Sequence, residues 1–265
     1  KIPVIIVNDA PPDPDLVQAV EGFAAQAGFR VLTHKRNLGF PSAVNTGLRA
    51  VAGHDVIVLN SDTLVAEGWV EELRRIAYVS PETGTVTPFS NDASILSYPS
   101  PNQKNPVPDL AQTERLMAQA QAANAGQAME IPTANGFCMY IRHDCLAQIG
   151  LLREDVFAQG YGEENDFCMR ARALGWRHQA APGAFVAHVG SASFGGTRTG
   201  LMRRNEAILG RLHPGYHEMV AAWISKDPLF KARRRLDLVR FRAGATPTGA
   251  PTKQSRKRRA MVLVT

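Results

Sequence analysis

The fold is decided by "PVIIVNDAPPDPDLVQAVEGFAAQAGFRVLTH", Pro3 to His34. Its first third is a continuous β-branched run, the pattern of a parallel strand covered on both faces. "DAPPDPD" then turns the chain. Leu16, Val20, Phe23 and Ala27 recur at helical spacing, which predicts a helix with these four facing inward, and Gly28 supplies its stop. "FRVLTH" is a second strand. Working outward, "SAVNTGLRAVAG" reads as a helix with Val44, Leu48 and Val51 on one face, and "DVIVLN" as a strand. "WVEELRRIAYV" follows as a helix with Trp69, Leu73 and Ile76 inward, and "GTVTPF" as another strand. Strand and helix alternate through short connections, so the expectation is an α/β fold with a doubly wound, mostly parallel sheet flanked by helices.

The rest of the chain is less regular. "DLAQTERLMAQAQAANAG" predicts a helix capped by Asp109. "GFCMYIR" is a strand and "HDCLAQIGLL" a short helix. "GEENDFCMRARALG" is a helix with Phe167, Ala171 and Leu174 inward, and "GAFVAHVG" a last strand. "SASFGGTRTG" is rich in Gly and Ser and reads as a mobile loop.

Composition narrows the function classes. The 265 residues are 45% apolar, enough for one large α/β domain. Cys138, Cys145 and Cys168 form no CxxC pair, which suits a reducing compartment and disfavours a disulfide scaffold or a cysteine zinc site. Twelve Lys/Arg against two Asp/Glu follow from Lys226 onward, a balance of +10 that leaves −4 for the residues before it. The basic excess therefore belongs to the C-terminal segment. An anionic membrane surface or a linker explains it better than nucleic acid, the disfavoured partner. No apolar run reaches the ~18 residues of a membrane span, and no signal peptide is visible. "RRAMVLVT" at the end reads as the opening of another strand, and both ends look cut, as in an internal piece of a longer protein.

Ligands of doubly wound sheets sit at the carboxyl ends of the strands. Asn8-Asp9, His34 to Asn37, and Asn60 to Asp62 all fall at such ends, and a purely structural sheet would need only turn formers there.

In order along the chain, "VNDAPPD", "KRNLGFPSAVNTGLRAVAG", "VLNSDT", "NGFCMYIRHDCLAQIGLL", "YGEENDFCMRARALGW" and "FVAHVGSASFG" resemble the motifs of the family 2 glycosyltransferases, inverting enzymes of the GT-A fold. The resemblance covers about Ile2 to Gly196. It implies metal-dependent transfer of a sugar from a nucleotide diphosphate sugar, of UDP or dTDP type, to a hydroxyl of a glycan or glycolipid. Asp9 matches the acid that binds the base, although it could also serve only as a turn cap. Asn37, Gly39 and Asn45 match the loop that wraps the nucleotide, with a helix cap and a polar helix face as the plain alternative. Asn135 and Gly136 match the segment near donor sugar and acceptor.

Asp62 matches the last acid of the family's D-x-D motif, and Asn60 stands where its first Asp often is. His188 matches a further metal ligand. The resemblance thus implies Mn2+ or Mg2+, held by few protein groups and completed by substrate phosphates. "GEEND" matches the family's E-D-x-D: Glu163 the Glu, Glu164 the catalytic Asp, Asp166 the second Asp. The base lies between Glu163 and Glu164, with Glu164 favoured. Asp166 reads as mostly structural, through an i,i+4 pair with Arg170, with a part in acceptor binding.

Two other readings stand against this one. A nicotinamide dehydrogenase needs G-x-G-x-x-G after the first strand, and "DAPPDP" has no glycine. A catalytically inactive GT-A-like module that only binds nucleotide or carbohydrate within a multidomain protein is compatible with Asn60 and Glu164. The expected organisation is a GT-A domain over residues 1–225, its nucleotide-binding half at about 1–100 and its acceptor half at about 130–200. A basic helical extension follows over 226–241, and then a linker over 242–265 leading to a further domain. The expected place of work is the cytoplasm, at the inner face of the membrane through peripheral contact of the basic C-terminus.

Overall fold

The computed structural model describes residues 2–51, 53–157, 159–190, 198–244 and 263–264. The Gly/Ser-rich stretch at 191–197 and most of the expected linker therefore lie outside the described residues. In the first half, strands β1 (Ile5–Asn8), β2 (Arg30–Thr33), β3 (Val56–Leu59), β4 (Thr63–Leu64) and β5 (Thr83–Phe89) alternate with helices α1 (Pro14–Ala27), α2 (Phe40–Ala50) and α3 (Trp69–Ala77). After a 3-10 turn at Ser94–Leu96 come α4 (Leu110–Asn124), β6 (Met129–Ile131), β7 (Cys138–Ile141), α5 (His143–Ile149) and α6 (Glu163–Ala173). β8 (Arg177–Phe185), β9 (Ala187–His188), α7 (Arg198–Leu212), α8 (Tyr216–Lys226), α9 (Phe230–Gly244) and β10 (Leu263–Val264) complete the described elements.

β10, β1 and β2 form a parallel three-stranded sheet, and β3, β7, β5, β8 and β6 a five-stranded one in that order. β5 and β8 run parallel, while β7 enters antiparallel between β3 and β5. β10 pairs with β1 at Ile6↔Leu263 and Val7↔Val264 and lies against β3.

Alternation along the central strands explains the layering. Val56 and Val58 of β3 and Met139 and Ile141 of β7 pack with Val44, Leu48 and Phe167 on one face. Leu59, Cys138 and Tyr140 pack with Leu73, Ile76 and Met117 on the other. Successive side chains of a strand point to opposite faces, so each strand feeds two helical layers. α9 joins the second layer through Ala232 and Leu236, with Leu229 just before it, which fastens the basic helix to the core.

Three expected inward positions are corrected. Leu16 and Phe23 are exposed, because β2 is an edge strand and α1 reaches the core only through Ala24, with Val20 beside it. Leu174 is exposed as well, because α6 ends at Ala173 and the residue falls on its C-cap.

Candidate active site

The turn after β3 carries Asn60 and Asp62 directly into β4. The antiparallel pairing of β4 with β9 sets Thr63 opposite His188. This register brings two residues 126 positions apart in sequence together, with Asp62 Oδ1 3.4 Å from His188 Nε2. Several neighbours hold the imidazole. Asn91 accepts from the His188 backbone N–H and donates to its carbonyl, both at 2.8 Å. The Phe137 ring stacks on it at 5.1 Å. Nδ1 lies 2.9 Å from the Asp92 carbonyl, so Nδ1–H donates there and Nε2 is the nitrogen turned toward Asp62. A second-sphere carbonyl that fixes the tautomer in this way is characteristic of ligating histidines. The other Asp62 oxygen accepts from the Gly190 N–H at 2.9 Å. Gly190 has a φ of 63°, and a Cβ there would meet Asp92 Oδ2 at 2.5 Å, so only glycine fits.

Electrostatics at this corner favour charge. Burial alone would raise the Asp62 pKa, but the hydrogen bond and charge of His188 and the Gly190 amide outweigh it and hold it below the ordinary range. Burial alone would lower His188, but Asp62 and the Asp92 carbonyl raise it. Asn60 Nδ2 lies 3.4 Å from His188 Nε2, and Asn60 Oδ1 is buried without a partner. An orphaned amide oxygen beside a carboxylate and an imidazole nitrogen is a donor set that fits a hard divalent cation. Among the described residues no group of three or more His, Cys, Asp and Glu could hold a metal, so an ion here needs oxygens from a ligand.

Across the cavity the backbone is strained. Gly160, Tyr161 and Gly162 have φ of 100°, 68° and 102°, and α6 starts at the next residue. This turn projects Glu163 and Glu164 toward the opposite wall. Glu163 is buried, and its Oε2 has no partner. Burial first, and the Glu164 charge second, push its pKa well above the ordinary value. Glu164 is half-buried and accepts from the Gly162 N–H at 3.3 Å and the Asn165 amide at 3.4 Å. Burial raises it too, against the pull of the amides at the helix start.

A cavity of about 320 Å³ joins the two corners. Of the residues singled out in the sequence, Asn60, Asp62, Asn135, Gly136, Glu163, Glu164 and His188 line it. Asp9, Asn37 and Gly39 form a separate cluster. The Asp9 carboxylate accepts from His34 Nδ1 at 2.6 Å and from the amides of Leu38 and Gly39 at 2.9 Å. Asn37 donates to the Asp9 carbonyl. This cluster shapes the loop that leads to Phe40, a cavity residue.

Two of the residues are taken up by contacts within the fold. Asn45 is buried, donates to Leu152 O and Glu154 Oε2 at 2.9 Å, and accepts from Leu152 N at 3.0 Å. Its amide is consumed in tying α2 to the 152–154 loop, not in wrapping a nucleotide. Asp166 is 0% exposed and faces Arg170 at 2.8 Å, Arg153 at 3.4 Å and His213 at 2.8 Å. Closed off in this way, it acts as an anchor, in line with its i,i+4 spacing to Arg170. Sequence reasoning missed Asn91, Asp92, Phe137 and Tyr161. The Asn91-Asp92 pair just past β5 carried the same strand-end signal as Asn60 to Asp62. A wider groove of about 840 Å³ between α4 and α9 lacks the carboxylate and histidine set.

Known proteins resemble this chain in sequence and in fold. The model of the family described as "Glycosyltransferase like family 2" matches residues 4–206. The chain is 28% identical over 191 residues to the pre-mycofactocin glycosyltransferase of Mycobacterium tuberculosis, in strains CDC 1551 / Oshkosh and H37Rv. The match takes in 70% of this chain but spans only 37% of the length of those relatives. The fold resembles that of the mannosyltransferase PcManGT from Pyrobaculum calidifontis in complex with GDP-Man and Mn2+, with a TM-score of 0.56 at 17% identity over 93% of this chain and 67% of that one. It also resembles GalNAc-T7 with UDP, GalNAc and Mn2+, with a TM-score of 0.59 at 14% identity over 90% of this chain and 48% of that one.

Proposed function

The chain belongs to the glycosyltransferase like family 2, and from that membership we propose that its cavity transfers a sugar, with inversion, from a nucleotide diphosphate sugar to a hydroxyl of a glycan or glycolipid. The observation that carries this reading is the single cavity with Asp62 and His188 on one wall and Glu163 and Glu164 on the other. Asp62, His188 and the Asn60 amide oxygen would hold Mn2+ or Mg2+ together with phosphate oxygens of the donor. When bound, such an ion supplies positive charge where the leaving diphosphate gathers negative charge.

The protein's own residues divide the rest of the work. Glu163 is the more enclosed carboxyl, and burial favours its protonated form. Glu164, aligned by the Gly162 amide, stays available to accept one. As the acceptor oxygen bonds to the anomeric carbon, its proton passes to Glu164 and the bond to the diphosphate breaks. Asn135 and Gly136, beside Glu164, would border the sugar, and the Asp9, Asn37 and Gly39 loop would border the nucleoside. A UDP or dTDP donor is the preferred form. Both neighbours carry a nucleotide, GDP-Man in one and UDP in the other, so the test panel includes GDP-mannose.

Membrane contact is proposed for α9. Phe230, Leu238 and Phe241 are 56%, 52% and 77% exposed. Their spacing keeps them within an arc of roughly 80° on a helix of 100° per residue, with Arg234 among them and Lys231 and Arg242 alongside. That combination suits an anionic bilayer surface. Among the described residues no helix is long and apolar enough to cross a membrane. The buried, unpaired cysteines suit a reducing compartment, which supports the cytoplasmic face as the proposed place of work. Co-sedimentation with phosphatidylglycerol vesicles should fall when the three apolar residues become Ser. Unchanged binding would refute this contact.

Turnover of UDP-, dTDP- and GDP-sugars with Mn2+ tests the chemistry. The expected result is hydrolysis or transfer that Asp62→Ala and Glu164→Gln each remove. Nucleotide binding without turnover in the unmutated chain would favour the binding-only module.

A further inference from the structure

We infer that Asn205, on α7, is the positioning residue that holds the base-bearing turn in register. The inference rests on the reading of Glu164 as the base. Three successive left-handed residues, one of them Tyr161, form an arrangement that L side chains avoid and that persists only where the surroundings over-determine it. Asn205 supplies that determination. It is 1% exposed, and its Nδ2 donates to Gly160 O at 2.7 Å and to Tyr161 O at 2.9 Å. One amide group thereby satisfies the two carbonyls that a left-handed run turns away from any helix or strand partner. Its Oδ1 accepts from Arg204 at 3.1 Å, so the amide orientation is set. A Cβ on Gly162 would lie 3.9 Å from Asn205 Cβ and 3.2 Å from the Phe157 ring, so the turn is packed as well as bonded.

A second grip lies one residue beyond the same helix. His213 Nε2 meets Asp166 Oδ1 at 2.8 Å, and Arg170 spans from Asp166 to the carbonyls of Ile149 and Leu151. Leu209 packs with Phe157 and Tyr216 between the two grips. α7 therefore clasps the first turn of α6 from both sides of Glu163 and Glu164. Met202, on the same helix, lines the cavity. Asp62 and His188 share no contact with this clasp, so the two halves of the site can be separated by experiment.

The test compares Asn205→Asp, which keeps the shape but points an oxygen at both carbonyls, with Asn205→Ala. Displacing a catalytic group by about 1 Å costs on the order of 10²-fold in rate, so kcat for donor hydrolysis should fall by that much in both variants. Mn2+-dependent binding of UDP should change by less than about twofold, because that wall is untouched. Amide hydrogen exchange over residues 160–166 should speed up by about tenfold or more, with β3 and β5 unchanged. Unchanged exchange over 160–166 in Asn205→Asp would overturn the inference. So would loss of UDP affinity and of Tm in step with kcat, which marks a general structural residue. If Glu164→Gln hydrolyses donor at the unmutated rate, the base assignment fails, and the exchange result still judges the clasp.

Discussion

The two walls of one cavity treat carboxylates in opposite ways. On the β4–β9 wall, Asp62 is pulled below its ordinary pKa by His188 and the Gly190 amide. On the α6 wall, Glu163 and Glu164 are pushed up by burial, and Glu163 also by its neighbour's charge. A group that stays ionised suits holding a cation, and a group poised to take a proton suits a base. Environments that drive carboxyl groups apart in this way assign their roles.

The largest expected effect breaks the first wall. Asp62→Ala should lower turnover by roughly 10³-fold or more, since a cation at a leaving diphosphate supplies several kcal/mol. Donor hydrolysis at saturating Mn2+ checks this, and a loss under tenfold would remove Asp62 from the site. Glu164→Gln breaks the second wall and should cost about 10²- to 10⁴-fold in kcat with little change in KM. In the unmutated chain the acid limb of kcat should lie above the ordinary 4.5 of a glutamate, because the Glu164 pKa is raised. A limb at or below that value would contradict the assignment.

Removing the anchor behind the second wall should cost stability. Asp166→Ala leaves Arg170 and Arg153 facing a buried gap and should destabilise by about 3–5 kcal/mol in denaturant melts. Glu163→Gln is the mildest change. The folded protein binds this proton more tightly than the unfolded chain does, so the carboxyl's stabilising contribution is complete at acid pH. It is lost as pH rises from the ordinary 4.5 toward the raised value. Gln should therefore raise Tm at pH 7, give no gain at pH 4, and leave kcat within about tenfold. A lower Tm at pH 7 would show that Glu163 is ionised and paired.

Much of the first wall was legible in the sequence. "VIVLNSDT" announces a buried strand ending in polar residues, and that local pattern is enough to place Asn60 and Asp62 at the sheet's ligand edge. The second wall was legible only in its charges. The Asp166–Arg170 pair follows from i,i+4 spacing, but the further grips of Asp166 on Arg153 and on His213, 47 residues later, follow from no spacing rule. Asn45 escaped for the same reason, since its partners at 152–154 meet it only in the folded chain. β7 entering antiparallel between β3 and β5 leaves no local trace either, because a strand buried on both faces reads alike in either direction.

The most direct test of the central claim is calorimetric titration of UDP into the protein with and without Mn2+, repeated on Asp62→Ala and on Glu164→Gln. The account predicts Mn2+-dependent binding that Asp62→Ala abolishes and Glu164→Gln leaves intact. Equal binding in all three proteins, indifferent to Mn2+, would contradict it.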